Sequence, residues 1–210
     1  APEEAELIDD RYAAIRRRAH QQLMEHGFPD LKTEAWKYTS LKVLEKSEFG
    51  EQDESCGLAP AALPFDAWVI HFDSGLLNGE SPDLPEGVRL EPVDPSELVN
   101  VTYGDRADAM AWLNLARFEQ AWKLVIDGKI DRPLVLAMTF SEKFNASVHP
   151  RLKIEVTEGA EAVLIEQQRD HGEGLVNIVE DIELKGGARL RHILHRQNNG
   201  SVWVQRTRVA

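Results

Sequence analysis

The sequence predicts a mixed fold: a helix-led α+β N-terminal domain over 1–128, followed over 129–210 by the first turns of a right-handed, mainly β, parallel β-helix. Three observations carry this. Apolar residues recur at helical spacing near the start. The run "RLKIEV" (151–156) alternates strictly, with Leu152, Ile154 and Val156 on one face and Arg151, Lys153 and Glu155 on the other, as a strand with one buried face requires. Finally, "IEVTEGAEAVLIE" (154–166) aligns without gaps on "IELKGGARLRHIL" (182–194), with Ile154/Ile182, Glu155/Glu183, Gly159/Gly187 and Ala160/Ala188 identical. A strand–turn–strand unit repeated at fixed spacing buries its faces by stacking on its own copies.

In chain order, residues 5–26 read as a helix, because Ile8, Tyr12, Ile15, Ala19 and Leu23 form one apolar stripe. Gly27 suits a left-handed cap and Pro29 forbids continuation. Arg16, Arg17 and Arg18 lie partly off the stripe and read as a solvated face. Residues 47–64 and 78–96, rich in Gly, Pro and acids, read as loops. Between them "AWVIHF" (67–72) reads as a buried strand turned by Asp73-Ser74-Gly75. Residues 105–121 read as a second helix with Asp105 as a candidate N-cap. "WKLVI" and "PLVLAMTF" (133–140) read as strands leading into the repeat. Residues 202–209 alternate toward a third copy beginning at Ala210, so the chain is expected to continue. An open sheet edge there would invite association, including a homodimer.

Composition narrows the function. The chain has 210 residues, of which 42% are hydrophobic, enough for a real core, and its net charge is -12. Residues 151–210 hold nine basic and nine acidic residues, so the whole excess lies before them. That charge opposes general binding to nucleic acid or anionic membrane. No apolar run approaches the ~20 residues of a membrane span. A lone cysteine, Cys56, in an acidic loop suits a reducing, cytoplasmic setting and is a poor nucleophile, since neighbouring carboxylates raise a thiol's pKa.

No residue is assigned a catalytic, cofactor-binding or metal-binding role. His192 and His195 are three apart on one strand, so they point to opposite faces. The repeat sets His192 opposite Leu164, which makes it an inward, hydrogen-bonded histidine. His149 and His171 flank strands and could be exposed, but neither has a Cys or a second His at ligand spacing. Glu155, Glu158 and Glu161 could serve a carbohydrate-active β-helix enzyme, but Glu155 and Glu183 recur in register, as an outward polar ladder would. In "LKTEAWKYTS" (31–40) the aromatics could stack bases or line a pocket. The acidic surroundings oppose the first, and the reading preferred is that Trp36 and Tyr38 dock this segment onto the first helix.

The stretch "HGFPDLKTEAWKYTSLKVLEKSEF" (26–49) resembles the N-terminal signature of the SufD family, with Gly27, Pro29, Lys32, Glu34, Trp36, Lys37, Tyr38 and Thr39 in the family's order and spacing. "RPLVLAMTF", "VHPRLKIEVTEGAEAVLIEQ" and "NIVEDIELKGGARLRHILHRQ", with Ala188, Leu190 and His192, also resemble the start of that family's β-helix. The resemblance implies a non-enzymatic scaffold subunit in iron–sulfur cluster assembly. Its partners would be a SufB-like paralogue, met through the β-helix, and a SufC-like ATPase, docked by a C-terminal helical domain. Iron or cluster ligands are expected beyond residue 210, so none is transferred to this chain. The related SufB family is the alternative within the same system.

Overall fold

The computed structural model describes residues 10–41, 44, 57–79, 82–104, 106–144 and 146–210. The chain is mostly β, with a solenoid of about three turns and few helices. Ile8, Cys56 and Asp105, singled out above, lie outside the described residues, as does most of the loop predicted over 47–64.

Two parallel-rich sheets face one another. The first runs in the order β10 (Arg189–Gln197), β8 (Glu161–Gly172), β5 (Leu134–Phe144), β1 (Trp68–Asp73) and β2 (Leu76–Leu77). The second runs β11 (Val202–Val209), β9 (Leu175–Leu184), β7 (Arg151–Val156), β4 (Ala121–Ile126) and β3 (Val88–Pro92), with β6 (Ser147–Val148) pairing β9 beside it. Successive turns of chain therefore place β4 then β5, β7 then β8, and β9 then β10 in successive rungs.

The self-match is the rung repeat. Ile154 pairs with Ile182 and Glu155 with Glu183 across β7 and β9, as the sequence alignment requires. Gly159 (φ +69) and Gly187 (φ +71) occupy equivalent turns, and Gly159 N–H donates to Gly186 O at 3.0 Å, so the turns stack as well. The third copy comes one residue earlier than predicted: Val209, not Ala210, lies beside Ile182. The connection from β10 to β11 is one residue shorter than that from β8 to β9, since Gln197 aligns with Arg169 but Val202 with Leu175.

Inside the solenoid, Ile70, Leu136, Met138, Leu124, Ile154, Leu164 and Ile178 form one apolar core. A second core lies outside the second sheet. There α1 (Ala13–His26) and α3 (Ala109–Arg117) pack together over Ala121 and Leu175. Asn114 pins α3 to the sheet: its Nδ2 donates to Pro150 O at 2.9 Å and Asn177 O at 2.7 Å.

Several expectations need correction. Helix α1 begins at Ala13, because Asp10 holds residues 10–12 in a turn, its Oδ1 accepting from Tyr12 N–H at 2.7 Å. It ends as read, with Gly27 N–H donating to Leu23 O at 2.8 Å. Arg16 is not solvated: it is fully buried, pairing with Asp10 at 2.6 Å and donating to Phe118 O at 2.8 Å. The stretch 78–96 contains strand β3, antiparallel to β4, and the start of the short helix α2 (Pro95–Val99). The second helix closes at Arg117, where Phe118 adopts an extended conformation. Asp73-Ser74-Gly75 does turn the chain, with Ser74 at φ 51 and Gly75 at φ 85, the pair of positive angles a tight hairpin needs. Arg151 points outward yet is 3% exposed, because α3 covers it and Asn114 Oδ1 accepts from it at 2.9 Å.

Candidate functional site

Apolar inward positions give way to polar ones midway along the rungs. On β8 the inward series is Ala162, Leu164, Glu166, Gln168 and Asp170. On β9 it is Val176, Ile178, Glu180 and Ile182. Pairing then places His192 of β10 beside Leu164, and Thr207 of β11 beside Glu180. Glu166 and Glu180, on opposite sheets, thus converge inside the solenoid with His192, and both glutamates are fully buried.

One potential ligand atom from each of Glu166, Glu180 and His192 lies within 4.8 Å of the others. His192 Nε2 is in close contact with Glu166 Oε1. The other oxygen of each carboxylate is held from one side. Gln205 Nε2 donates to Glu166 Oε2 at 3.0 Å and to Glu180 Oε2 at 2.9 Å. Gln168 Nε2 adds 2.8 Å to Glu166 Oε2, and Thr207 Oγ1 adds 3.0 Å to Glu180 Oε2. Both glutamines are oriented in turn by Arg196, whose Nε and Nη2 donate to Gln168 Oε1 and Gln205 Oε1, each at 2.7 Å. The Arg196 guanidinium stacks 4.6 Å from the centre of the Trp203 ring. Glu180 Oε1 is buried and has no hydrogen-bond partner among the described residues.

The electrostatics follow from that crowding. Burial, reinforced by the charge of Glu166, pushes the Glu180 carboxyl up to about 8. The bond to Glu166 raises the His192 imidazole, against the opposing effect of burial. Two buried carboxylates facing one another repel unless a proton or a cation lies between them.

The sequence reading placed His192 correctly. It is inward, beside Leu164 and bonded, while His195 is exposed on the opposite face. Glu166 and Glu180 were missed. The signal for Glu180 is a lone carboxylate among the apolar inward positions Val176, Ile178 and Ile182, whereas Glu166 is followed by Gln168 and Asp170 and stands out only once the strands are stacked. The surface acids behave as a ladder. Glu155 pairs with Lys123 at 3.2 Å, and Glu161 lies 3.3 Å from Lys129 and 3.6 Å from Arg189. His149 is buried rather than exposed, with Asn177 Nδ2 3.3 Å from its Nδ1. Trp36 is half-buried against the helical core, but its Nε1 donates to Ala107 O at 2.8 Å, beside the start of α3. Tyr38 docks nowhere; it is 92% exposed.

No protein-family model matches the chain, and no curated protein matches it. Among the described residues, no helix is long and apolar enough to cross a membrane.

Proposed function

We propose that this chain is part of a SufD-type scaffold subunit for iron–sulfur cluster assembly, working in the cytoplasm without catalysing a reaction itself. The observation that carries the reading is the joint occurrence of the "GFPDLKTEAWKYT" signature (27–39) and a 28-residue repeat that forms parallel rungs. A solenoid suits a scaffold because its sheets present long, regular surfaces to partners. In this reading the β-helix meets a SufB-like paralogue, and ATP-driven movement of a SufC-like ATPase is transmitted to that paired platform. The outward carboxylates favour the scaffold over a carbohydrate-active enzyme, since Glu155 and Glu161 are engaged by basic side chains.

Co-expression of the whole gene product with a SufB-like and a SufC-like protein tests this. A complex of the three, co-eluting at defined stoichiometry, is expected. Failure to associate at micromolar concentration overturns the reading, as does turnover of an acidic polysaccharide that Glu155→Gln abolishes. Self-assembly with a SufC-like protein in place of a SufB-like one assigns the chain to the SufB alternative.

A further inference from the structure

We propose that Glu166, Glu180 and His192 form a binding site for one divalent first-row transition cation, such as Zn²⁺, Fe²⁺ or Co²⁺, inside the solenoid. The inference does not depend on the scaffold reading, and nothing in that reading supplies these ligands.

Three features of the geometry support it. First, the three groups come from three strands, β8, β9 and β10, and two facing sheets, yet their ligand atoms already lie within 4.8 Å of one another. An ion about 2.1 Å from each atom needs them roughly 3–4 Å apart, which is within reach of small rotamer changes. Second, Glu180 Oε1 is buried with no partner among the described residues, in a residue that is 0% exposed. Once ionised, a fully buried carboxylate oxygen without a donor is costly unless something else occupies its lone pairs. Third, the outer oxygens are already oriented. Gln205 bridges Glu166 Oε2 and Glu180 Oε2, and Gln168 and Thr207 hold the same atoms from the side. Such outer-shell donors fix the ligating oxygens of a metal site and leave their partners turned inward.

The donor set selects the class of ion. One imidazole nitrogen with two carboxylate oxygens suits borderline divalent metals. Mg²⁺ and Ca²⁺ prefer all-oxygen sites with more ligands, and the three ligand atoms grouped here include no sulfur for Cu⁺. The cation takes the place of the proton between His192 Nε2 and Glu166 Oε1. Its charge offsets the two carboxylates, and it ties β10 to both β8 and β9.

The test is titration of the metal-free full chain with CoCl₂ and ZnCl₂, read by calorimetry and, for cobalt, by visible d–d absorption. One saturable site per chain is expected, with little response to MgCl₂. Glu180→Gln and His192→Gln should each weaken Co²⁺ binding by about tenfold or more and bleach the absorption. His195→Ala, on the outer face, should leave both unchanged. Zn²⁺ should raise the melting temperature of the wild type but not of Glu180→Gln. Because Glu180→Gln keeps the side chain's shape and cannot ionise, it should fold; circular dichroism verifies this, and His192→Gln reads the same site independently. Absence of saturable uptake by the wild type overturns the proposal. So does wild-type affinity in both variants, or equal affinity for Mg²⁺.

Discussion

Arg16 lies between a carboxylate and two backbone carbonyls, with 0% of its surface exposed. Its guanidinium meets Asp10 at 2.6 Å, Phe118 O at 2.8 Å and Glu119 O at 3.3 Å, and lies 4.8 Å from the Phe118 ring centre. It therefore ties the start of α1 to the chain just after α3. Arg16→Ala should cost about 3 kcal/mol in chemical denaturation, since it strands Asp10 and a buried carbonyl. The exposed neighbour, Arg17→Ala, should change stability by less than about 0.5 kcal/mol. His149 gives a second residue-scale prediction. Burial first, and the charge of Arg117 second, hold its pKa at about 3, against an ordinary 6.5. Its folded pKa is depressed, so the stability tied to its neutral form is complete above pH 6.5 and is lost as pH falls toward 3. Between pH 6.5 and 5 the loss is at most about 2 kcal/mol. Glu180 acts oppositely. Its folded pKa, about 8, exceeds the ordinary 4.5, so its contribution is present below 4.5 and is lost as pH rises through about 8. Comparing melts of wild type and His149→Asn at pH 7 and 5 isolates the histidine: the variant should lose less stability on acidification.

At the scale of elements, legibility followed periodicity. The strands around the repeat could be read because a period of two survives burial, and because Gly159 and Gly187 mark equivalent turns. Strand β3 could not, for two reasons. It is a short edge strand in which only Val88 is buried, and Pro92 ends it, so it carries the composition of a loop. Its partner, β4, reaches it only through tertiary pairing, from Val88 beside Ile126 to Pro92 beside Trp122. The turn before it has no tolerance for a side chain. A Cβ on Gly87, at φ +84, would stand 2.1 Å from Asp127 O, so Gly87→Ala should lower stability by about 2 kcal/mol or more. The segment Leu31–Ser40 shows the same limit differently. Its aromatics look equivalent in sequence, yet Trp36 reaches a carbonyl and a core while Tyr38 faces water. Trp36→Ala should cost about 2 kcal/mol and Tyr38→Ala almost nothing, in the same denaturation assay. A loss of partner binding in Trp36→Ala at unchanged stability would instead give this segment a recognition role.

In the whole molecule, each rung touches only its neighbours, so stability accumulates by nearest-neighbour stacking. Among the described residues, β5, β7, β8 and β9 are each paired on both sides, whereas β10 and β11 are each paired on one. The inner face changes along the same axis, from Leu134, Leu136 and Leu164 to Glu166, Glu180 and His192. This polar stretch was the least legible part of the chain, because its members are 14 and 12 residues apart and meet only once the rungs are stacked. Among the described residues, the outer strands β10 and β11 contribute half-exposed His192, Trp203 and Gln205 where the strands they pair with contribute buried aliphatics such as Leu164 and Ile178. Native-state hydrogen exchange should therefore show graded protection. Amides of β7, β8 and β9 should exchange near the global unfolding rate, and those of β11 faster by sub-global opening. Asn114→Ala should flatten the gradient by lowering protection in β9: it removes the bonds that seat α3 over Pro150 and Asn177, and so uncovers the outer face of β9. If β11 proved as protected as β8 in the 210-residue chain, β11 would have to be held by contacts beyond this stack. Adding Zn²⁺ then separates the two sources of order, because a cation bound by Glu166, Glu180 and His192 would slow exchange in β10 first.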